Sequence, residues 1–137
     1  SNYLDVDNDP LYPFGYGLSY TTFEYGPVSL SASEVAEGGS VTSEVTVKNT
    51  GDVAGKEVVQ MYIQDVVGST TRPVRELKGF EKIYLEPGES RTVTFEITPE
   101  LMSHYNSDFE FVAEPGEFIV SVGADSRTKN SASFILK

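Results

Sequence analysis

The sequence predicts an all-β fold, an antiparallel β-sandwich of seven or eight strands, and three observations support this prediction. Three segments alternate apolar and polar residues with a period of two, which is typical of half-buried strands. Turn sequences rich in glycine, proline and asparagine separate these segments at the short spacing of a sandwich. Only one segment carries the start signals of a helix. The chain has 137 residues, which is the length of one domain.

Three strands follow directly from the alternating pattern. The clearest is "SVTSEVTVKN" at residues 40–49, in which the valines share one face and the polar residues share the other. "EVVQMYIQ" at 57–64 and "RTVTFEIT" at 91–98 alternate in the same way. The apolar faces of these strands predict a core that includes Val45, Val47, Val59, Met61, Ile63, Phe95 and Ile97.

Five less regular segments complete the predicted sandwich. They are rich in β-branched and aromatic residues, which favour strands, but they change phase or are apolar on both faces. They bring the number of strands to about eight and span residues 27–32, 77–85, 108–114, 117–124 and 131–137.

Turns and one short helix are predicted between the strands. "EPGE" occurs at residues 86–89 and again at 114–117, and proline followed by glycine favours a type II turn at a hairpin or tight corner. "TPELMSHY" at 98–105 places Thr98 as a helix N-cap and Pro99 at the first helical position. We expect this helix to be one or two turns long.

Composition limits the partners of the chain. With 10 Lys and Arg against 21 Asp and Glu, the formal net charge is −11, so no nucleic acid partner is expected. Apolar runs are far shorter than the ~20 residues that span a bilayer, and no membrane partner is expected either. The absence of cysteine excludes disulfides and thiolate chemistry but leaves the compartment open. The chain begins with Ser1 and Asn2 rather than Met, so we expect that a preceding segment has been removed.

Catalytic and metal-binding patterns are weak. "DVDND" at residues 5–9 resembles the start of a calcium loop, but Pro10 and Tyr16 stand where an EF-hand needs glycine and glutamate. His104 is the only histidine, no G-x-S-x-G motif is present, and we expect His104 to be a surface loop residue. We therefore predict no catalytic, cofactor-binding or metal-binding residue, although a carboxylate pair brought together by folding stays open.

The predicted positions of the aromatic residues are compatible with two roles, packing and sugar binding. Tyr62 and Tyr84 lie in predicted strands with their rings expected to face outward, where they pack on the sheet face or stack on a sugar ring. "LYPFGYGLSY" at residues 11–20 is rich in aromatic residues without a helical or strand period. The sequence pattern alone leaves open what this segment covers.

Four segments in order resemble a known family. They are "PLYPFGYGLSYTTFEY" at 10–25, "VKNTGDVAGKEVVQMYIQD" at 47–65, "RPVRELKGFEKIYLEPGES" at 72–90 and "AEPGEFIVSVGADS" at 113–126. Together they resemble the C-terminal fibronectin type III-like domain of family-three glycoside hydrolases, the β-glucosidases and β-xylosidases. The resemblance runs from about residue 10 to the end of the chain and implies an immunoglobulin-like or fibronectin type III-like sandwich.

The resemblance also implies the role of the chain. In that family the nucleophilic Asp belongs to a barrel domain and the acid/base carboxylate usually to an α/β domain, neither of which is present here. This chain alone is therefore expected to be an inactive accessory domain whose partners are the catalytic domains of the same polypeptide, with a second subunit left open. The family further implies a periplasmic or secreted enzyme, with a signal sequence outside this fragment.

By this resemblance, residues 1–25 form an interdomain linker and residues 26–137 form the sandwich. The residues expected to dock on the catalytic domains are Tyr12, Phe14, Tyr16, Tyr20, Arg72 and Arg75. Two other functions remain open. A carbohydrate-binding module would show an exposed coplanar aromatic pair, and a self-sufficient hydrolase would need two carboxylates about 5 to 9 Å apart in a cleft.

Overall fold

A computed structural model of the chain describes residues 21–66 and 74–137. This part of the chain contains eleven strands and one short helix, and seven of the strands have three or more residues. The all-β prediction is confirmed. The elements are β1 (Phe23–Tyr25), β2 (Ser29–Leu30), β3 (Glu34–Val35), β4 (Val41–Asn49), β5 (Gly55–Asp65), β6 (Arg75–Leu85), β7 (Ser90–Ile97), α1 (Pro99–Met102), β8 (His104–Tyr105), β9 (Phe111–Val112), β10 (Gly116–Gly123) and β11 (Ser131–Leu136).

Two sheets form the sandwich. The first has five strands in the order β3-β11-β10-β5-β6, and every pair is antiparallel except the parallel pair of β3 with β11. In the second sheet β4 is central, with β7 along one edge and β1 and β2 along the other. Strands β8 and β9 form a separate antiparallel hairpin. Thr21 to Tyr25, the described part of the predicted linker, include β1 and therefore contribute to the second sheet.

The core lies between the two sheets and is built by strict alternation. Along β4 every second residue is buried, from Val41 to Asn49, and the residues between them are exposed. Six of the seven predicted core residues are buried. Phe95 is the exception, because β7 pairs only with β4 among the described residues and so lies at a sheet edge. Its ring is half-buried and packs against the core, beside Gly79.

The two "EPGE" segments behave differently. At residues 86–89 the amide of Glu89 donates to the carbonyl of Glu86 at 2.9 Å, and Gly88 has a φ of 80°, as a type II turn requires. This turn joins β6 of one sheet to β7 of the other, so it is a tight corner. The second segment does not form such a turn, because Gly116 has a φ of 143° and is the first residue of β10.

The predicted helix is a single turn. Thr98 caps α1 and its side chain accepts a hydrogen bond from the amide of Leu101, with Pro99 at the first position, as the sequence indicates. Met102 of α1 is buried and joins the core. No helix in the described part of the chain has the length and apolar character needed to cross a membrane.

Asn49 forms a hydrogen-bond network at the end of the sandwich that contains Thr21. It is fully buried, and its side-chain amide donates to the carbonyls of Val53 and Leu85 at 2.9 and 3.0 Å. Its side-chain oxygen accepts from the Thr21 hydroxyl at 2.6 Å and from the Gly51 amide at 2.9 Å. The Asn49 side chain thereby connects the segment before β1, the β4–β5 turn and the end of β6.

Candidate docking surface

Of the six predicted docking residues, one can be placed. Tyr12, Phe14, Tyr16, Tyr20 and Arg72 lie outside the described residues, and their docking role stays a prediction. The sixth, Arg75, is the first residue of β6 and is half-buried. Its Nη1 donates to the carbonyl oxygens of Ser126 and Thr128 at 2.6 and 2.7 Å.

Arg75 therefore connects β6 to the loop between β10 and β11. These bonds hold the guanidinium on the face of the five-stranded sheet that points away from the core, because Arg75 pairs with the outward-facing Gln64. Both acceptors are backbone carbonyls, so the positive charge of Arg75 is not neutralised by either of them. A docking role for Arg75 remains a prediction.

An apolar patch lies on this outer face of the sheet. Side chains alternate between the two faces of a strand, so the residues between the core positions of β5 and β6 point outward. Four of them are apolar and are between 37% and 59% exposed. We call these four residues, Val58, Leu77, Phe80 and Tyr84, the outer patch.

A β-bulge gives the outer patch one of its members. The pairing of β5 with β6 shifts between Met61 and Tyr62, so that Met61 lies opposite Gly79 while Tyr62 lies opposite Leu77. Lys78 is the extra residue. Without this shift Leu77 would have the phase of Ile83 and Leu85 and would point into the core. The bulge instead moves Leu77 to the outer face.

Tyr62 and Tyr84 differ, although the same alternation predicts both to face outward. Tyr84 is half exposed, as predicted, whereas only 8% of Tyr62 is exposed, so the prediction of an available ring is wrong for Tyr62. Burial raises the pKa of the Tyr62 hydroxyl, the Asp125 carboxylate raises it further, and the Arg75 charge lowers it. In the structure Tyr62 lies between two neighbouring strands, opposite Ser121 of β10 and Leu77 of β6, and pairing partners this far away along the chain have no signal in the sequence of β5.

Exposed aromatic rings occur in contact at the hairpin of β8 and β9. The ring centroids of Tyr105 and Phe111 are 5.0 Å apart, and the ring planes are inclined by 51°. Flat stacking on one sugar face requires coplanar rings, and this pair does not provide them. The feature that would favour a carbohydrate-binding module is therefore not found among the ring contacts of the described residues.

His104 lies between two carboxylates. Its Nδ1 is 3.8 Å from Asp65 Oδ2, its Nε2 is 3.5 Å from Glu114 Oε1, and only 21% of its side chain is exposed. The prediction of a surface loop residue is wrong, because His104 is the first residue of β8 and pairs with Val112. These contacts connect the end of β5, the base of the hairpin and the segment before β10.

A small cavity lies beside His104. Its volume is about 120 Å³, and its lining includes Asp65, Val74, Glu76, Lys78 and His104. Pockets that enclose small-molecule ligands usually measure about 300 to 1,000 Å³. Within residues 21–66 and 74–137 no group of three His, Asp or Glu side chains is arranged to hold a metal ion. The "DVDND" segment lies outside the described residues.

The fold and this surface define the class of the protein, a β-sandwich module with an exposed apolar face. Residues 57–126 match the family of the fibronectin type III-like domain, and the chain belongs to this family. The chain is 53% identical over 135 residues to a putative β-xylosidase of Formosa agariphila, which covers 98% of the chain and 18% of that protein. It is 52% identical over 136 residues to a periplasmic β-glucosidase of Salmonella typhimurium, covering 99% of the chain and 18% of that protein.

Solved structures give the same result. A β-glucosidase from Listeria innocua in complex with isofagomine superimposes with a TM-score of 0.80 at 51% identity, over 99% of this chain and 19% of that one. A β-glucosidase from Erythrobacter marinus superimposes with a TM-score of 0.82 at 42% identity, over 100% of this chain and 18% of that one. The chain thus spans about a fifth of the length of its relatives, and the resemblance predicted from the sequence is confirmed.

Proposed function

We propose that the chain is a non-catalytic accessory domain of a β-glucosidase-like glycoside hydrolase, in which it packs against and stabilises the catalytic domains. One observation carries this proposal. Nearly the whole chain aligns with only 18% of proteins named β-xylosidase and β-glucosidase. The catalytic groups then belong to the remaining part of the polypeptide, and we assign none to this chain. Because the relatives are named for both glucosides and xylosides, no sugar is assigned.

The outer patch supports a packing role. A sheet face turned to water usually carries polar residues, whereas Val58, Leu77, Phe80 and Tyr84 leave apolar surface exposed. Burying such surface against another domain is favourable by about 25 cal/mol per Å². The aromatic residues Tyr12, Phe14, Tyr16 and Tyr20 and the cations Arg72 and Arg75 belong to the same proposed interface.

A periplasmic or secreted location belongs to this proposal. It is supported by the Salmonella typhimurium relative, which is named a periplasmic β-glucosidase.

The first experiment tests catalysis. The 137-residue chain and the full-length polypeptide are assayed with aryl β-glucoside and β-xyloside substrates. We expect turnover from the full-length polypeptide and none above the buffer blank from the chain alone. Turnover by the chain alone that is abolished by Asp65→Asn or Glu114→Gln would show that the chain is itself a hydrolase.

A second experiment tests docking. The double substitution Phe80→Ser and Tyr84→Ser is made in the full-length polypeptide and in the chain, with Val53→Ser in the β4–β5 turn as a control for the loss of one exposed apolar side chain away from this face. We expect the double variant to lower the melting temperature of the polypeptide by several degrees and that of the chain by less. An equal change in both would mean that the outer patch does not face another domain.

A further inference from the structure

A second apolar surface stands apart from the outer patch. We call residues 104–112, which comprise β8, β9 and the turn between them, the aromatic hairpin. It exposes 69% of Tyr105, 86% of Phe109 and 53% of Phe111. Three exposed aromatic residues within seven positions are unusual for a soluble surface, on which large apolar side chains normally occur singly.

The tip of the aromatic hairpin is held in one conformation by Asn106. Its side-chain oxygen accepts from the amides of Asp108 and Glu110 at 2.9 and 3.0 Å, and its amide nitrogen donates to Glu110 Oε1 at 3.2 Å. The backbone amide of Asn106 also donates to the carbonyl of Glu110 at 2.9 Å. The turn is therefore fixed by its own hydrogen bonds.

Phe109 occupies the strained position of this turn. Its φ is 62°, and it is the only residue other than glycine with a positive φ in the described part of the chain. Bulky side chains rarely adopt this left-handed conformation, in which glycine and asparagine are favoured. Since Phe109 is almost fully exposed, no packing by the described residues compensates the strain. A strained residue without a structural role is a reason to look for a function.

The base of the aromatic hairpin is fixed as well. His104 contacts Asp65 and Glu114, and Met102, two residues before it, is buried in the core. The backbone of the hairpin thus has little freedom left to lose, and preorganisation of this kind reduces the entropy that binding must overcome.

We propose that the aromatic hairpin is a docking element, with Phe109 inserting into an apolar pocket of the catalytic part of the same polypeptide. This inference rests on the proposed function and names the element of the domain that makes the contact. Exposed aromatic residues at the centre of an interface contribute a large share of its binding energy. The acidic side chains of Asp108 and Glu110 flank Phe109, so the rim of the pocket is expected to be basic.

Charge and geometry favour this occupant over two others. A second copy of the chain would bring another formal charge of −11 to an acidic hairpin, and the two would repel each other. A sugar ring would require coplanar rings, whereas those of Tyr105 and Phe111 are inclined by 51°. The rest of the polypeptide is covalently attached, which gives it a high effective concentration.

The position of the aromatic hairpin also supports the catalytic part of the polypeptide as its partner. Val74, which precedes β6 and is 59% exposed, and His104 of the hairpin line one cavity. The hairpin therefore adjoins the start of β6, the strand that supplies three residues of the outer patch. One partner domain can contact both surfaces.

The test is Phe109→Gly in the full-length polypeptide and in the 137-residue chain, with Phe109→Asn as a second variant. Glycine relieves the strain at positive φ, so we expect the melting temperature of the chain to rise by about 3 °C. In the full-length polypeptide we expect limited proteolysis between this domain and the rest to be about tenfold faster, since an interface aromatic is lost. A higher melting temperature of the isolated chain together with faster proteolysis of the full-length polypeptide would exclude a simple folding defect.

The control is Val53→Ser, an exposed apolar residue of the β4–β5 turn, which should change neither measurement. If Phe109→Gly leaves the proteolysis unchanged while the outer-patch double variant accelerates it, the hairpin proposal is overturned and the proposed function stands. If neither Phe109→Gly nor the outer-patch double variant changes the proteolysis, the hairpin proposal and the proposed function both fail. Light scattering adds one further outcome, because a loss of dimers in Phe109→Gly with unchanged proteolysis would make a second copy the occupant and overturn the proposal.

Discussion

Two aromatic pairs of the molecule have similar spacing and opposite surroundings. In the core, the rings of Phe118 and Phe134 stack with centroids 5.4 Å apart and an interplanar angle of 11°, and both side chains are buried. In the aromatic hairpin, the rings of Tyr105 and Phe111 are 5.0 Å apart and largely exposed. The first pair removes apolar surface from water within this chain, whereas the second leaves such surface uncovered.

This contrast shows where the stability of the domain resides. The core pair contributes to folding of the isolated chain because both rings belong to the buried core cluster between the two sheets. On our proposal the hairpin pair contributes little to folding, and its apolar surface is buried only against another part of the polypeptide. Aromatic content alone does not distinguish the two regions, but substitutions that change each region separately do.

The largest effect is expected from Phe118→Ala. Removing a buried phenylalanine from a close-packed core costs about 3 to 5 kcal/mol in the free energy of unfolding, because transfer energy is lost and a cavity remains. Urea unfolding of the isolated chain measures this cost. Phe111→Ala in the hairpin is the matched control and should cost about 0.5 kcal/mol or less. Similar losses from the two substitutions would contradict the comparison.

Asn49→Ala should have the next largest effect. The substitution removes four side-chain hydrogen bonds and leaves the buried carbonyl of Leu85 without its donor from Asn49. Leaving a buried polar group unsatisfied costs about 1 to 3 kcal/mol. Thr42→Ala, at an exposed position of the same strand, is the control. A loss no larger than that of the control, measured in the same urea titration, would mean that the Asn49 network does not stabilise the fold.

Phe95→Ala should cost less than a fully buried phenylalanine. Its ring packs against the core at the edge of the second sheet and keeps part of its surface in water. We expect a loss of about 2 kcal/mol, below the range for buried phenylalanines. Thr94→Ala, whose side chain points away from the core, should have almost no effect. Phe95→Ala matching Phe118→Ala in thermal and urea unfolding would show that Phe95 is a full member of the core.

The sequence predicts the sandwich interior well because alternation reports directly on burial. The valines of β4 and the apolar residues of β5 need only a period of two to be placed on one face. Alternation does not show which strand lies at an edge, and this is why Phe95 is less buried than predicted. A three-residue strand such as β1 has no measurable period, and its pairing with β4 depends on residues more than twenty positions away.

The candidate site was harder to predict for the same physical reason. Leu77 reaches the outer patch through a bulge, and Tyr62 loses its exposure on a strand flanked by β6 and β10, so both depend on pairings distant in sequence. At residues 108–114 the predicted strand forms only over Phe111 and Val112, because the hydrogen bonds of Asn106 hold the preceding residues in a turn. One signal was available, namely aromatic residues beside an asparagine and an aspartate, which favour turns.

The smallest effect, and the most specific, is expected at the half-buried pair of Tyr25 and Glu57. The Tyr25 hydroxyl donates to Glu57 Oε2 at 2.8 Å and connects β1 to the inner face of β5. Burial raises the pKa of the Glu57 carboxyl, and the hydrogen bond from Tyr25 lowers it in part, leaving a net increase. Burial, the Glu57 charge and the hydrogen bond raise the pKa of Tyr25 too, so the tyrosine stays neutral.

These shifts set the sign of a pH dependence. The folded state binds the Glu57 proton more tightly than the unfolded state does. Glu57 therefore stabilises the fold at pH values below the ordinary glutamate pKa of about 4.3. This contribution is lost as the pH rises through the higher pKa of the folded state. Glu57→Gln keeps an acceptor for Tyr25 and removes the charge. The variant should therefore unfold at higher urea concentration than wild type at pH 7, and the difference should shrink at pH 4. Glu24→Gln, which changes an exposed carboxylate of β1 by the same charge, controls for the net charge of the chain. A gain for Glu57→Gln that is the same at both pH values, or one that Glu24→Gln reproduces, would show that the half-buried charge of Glu57 does not oppose folding.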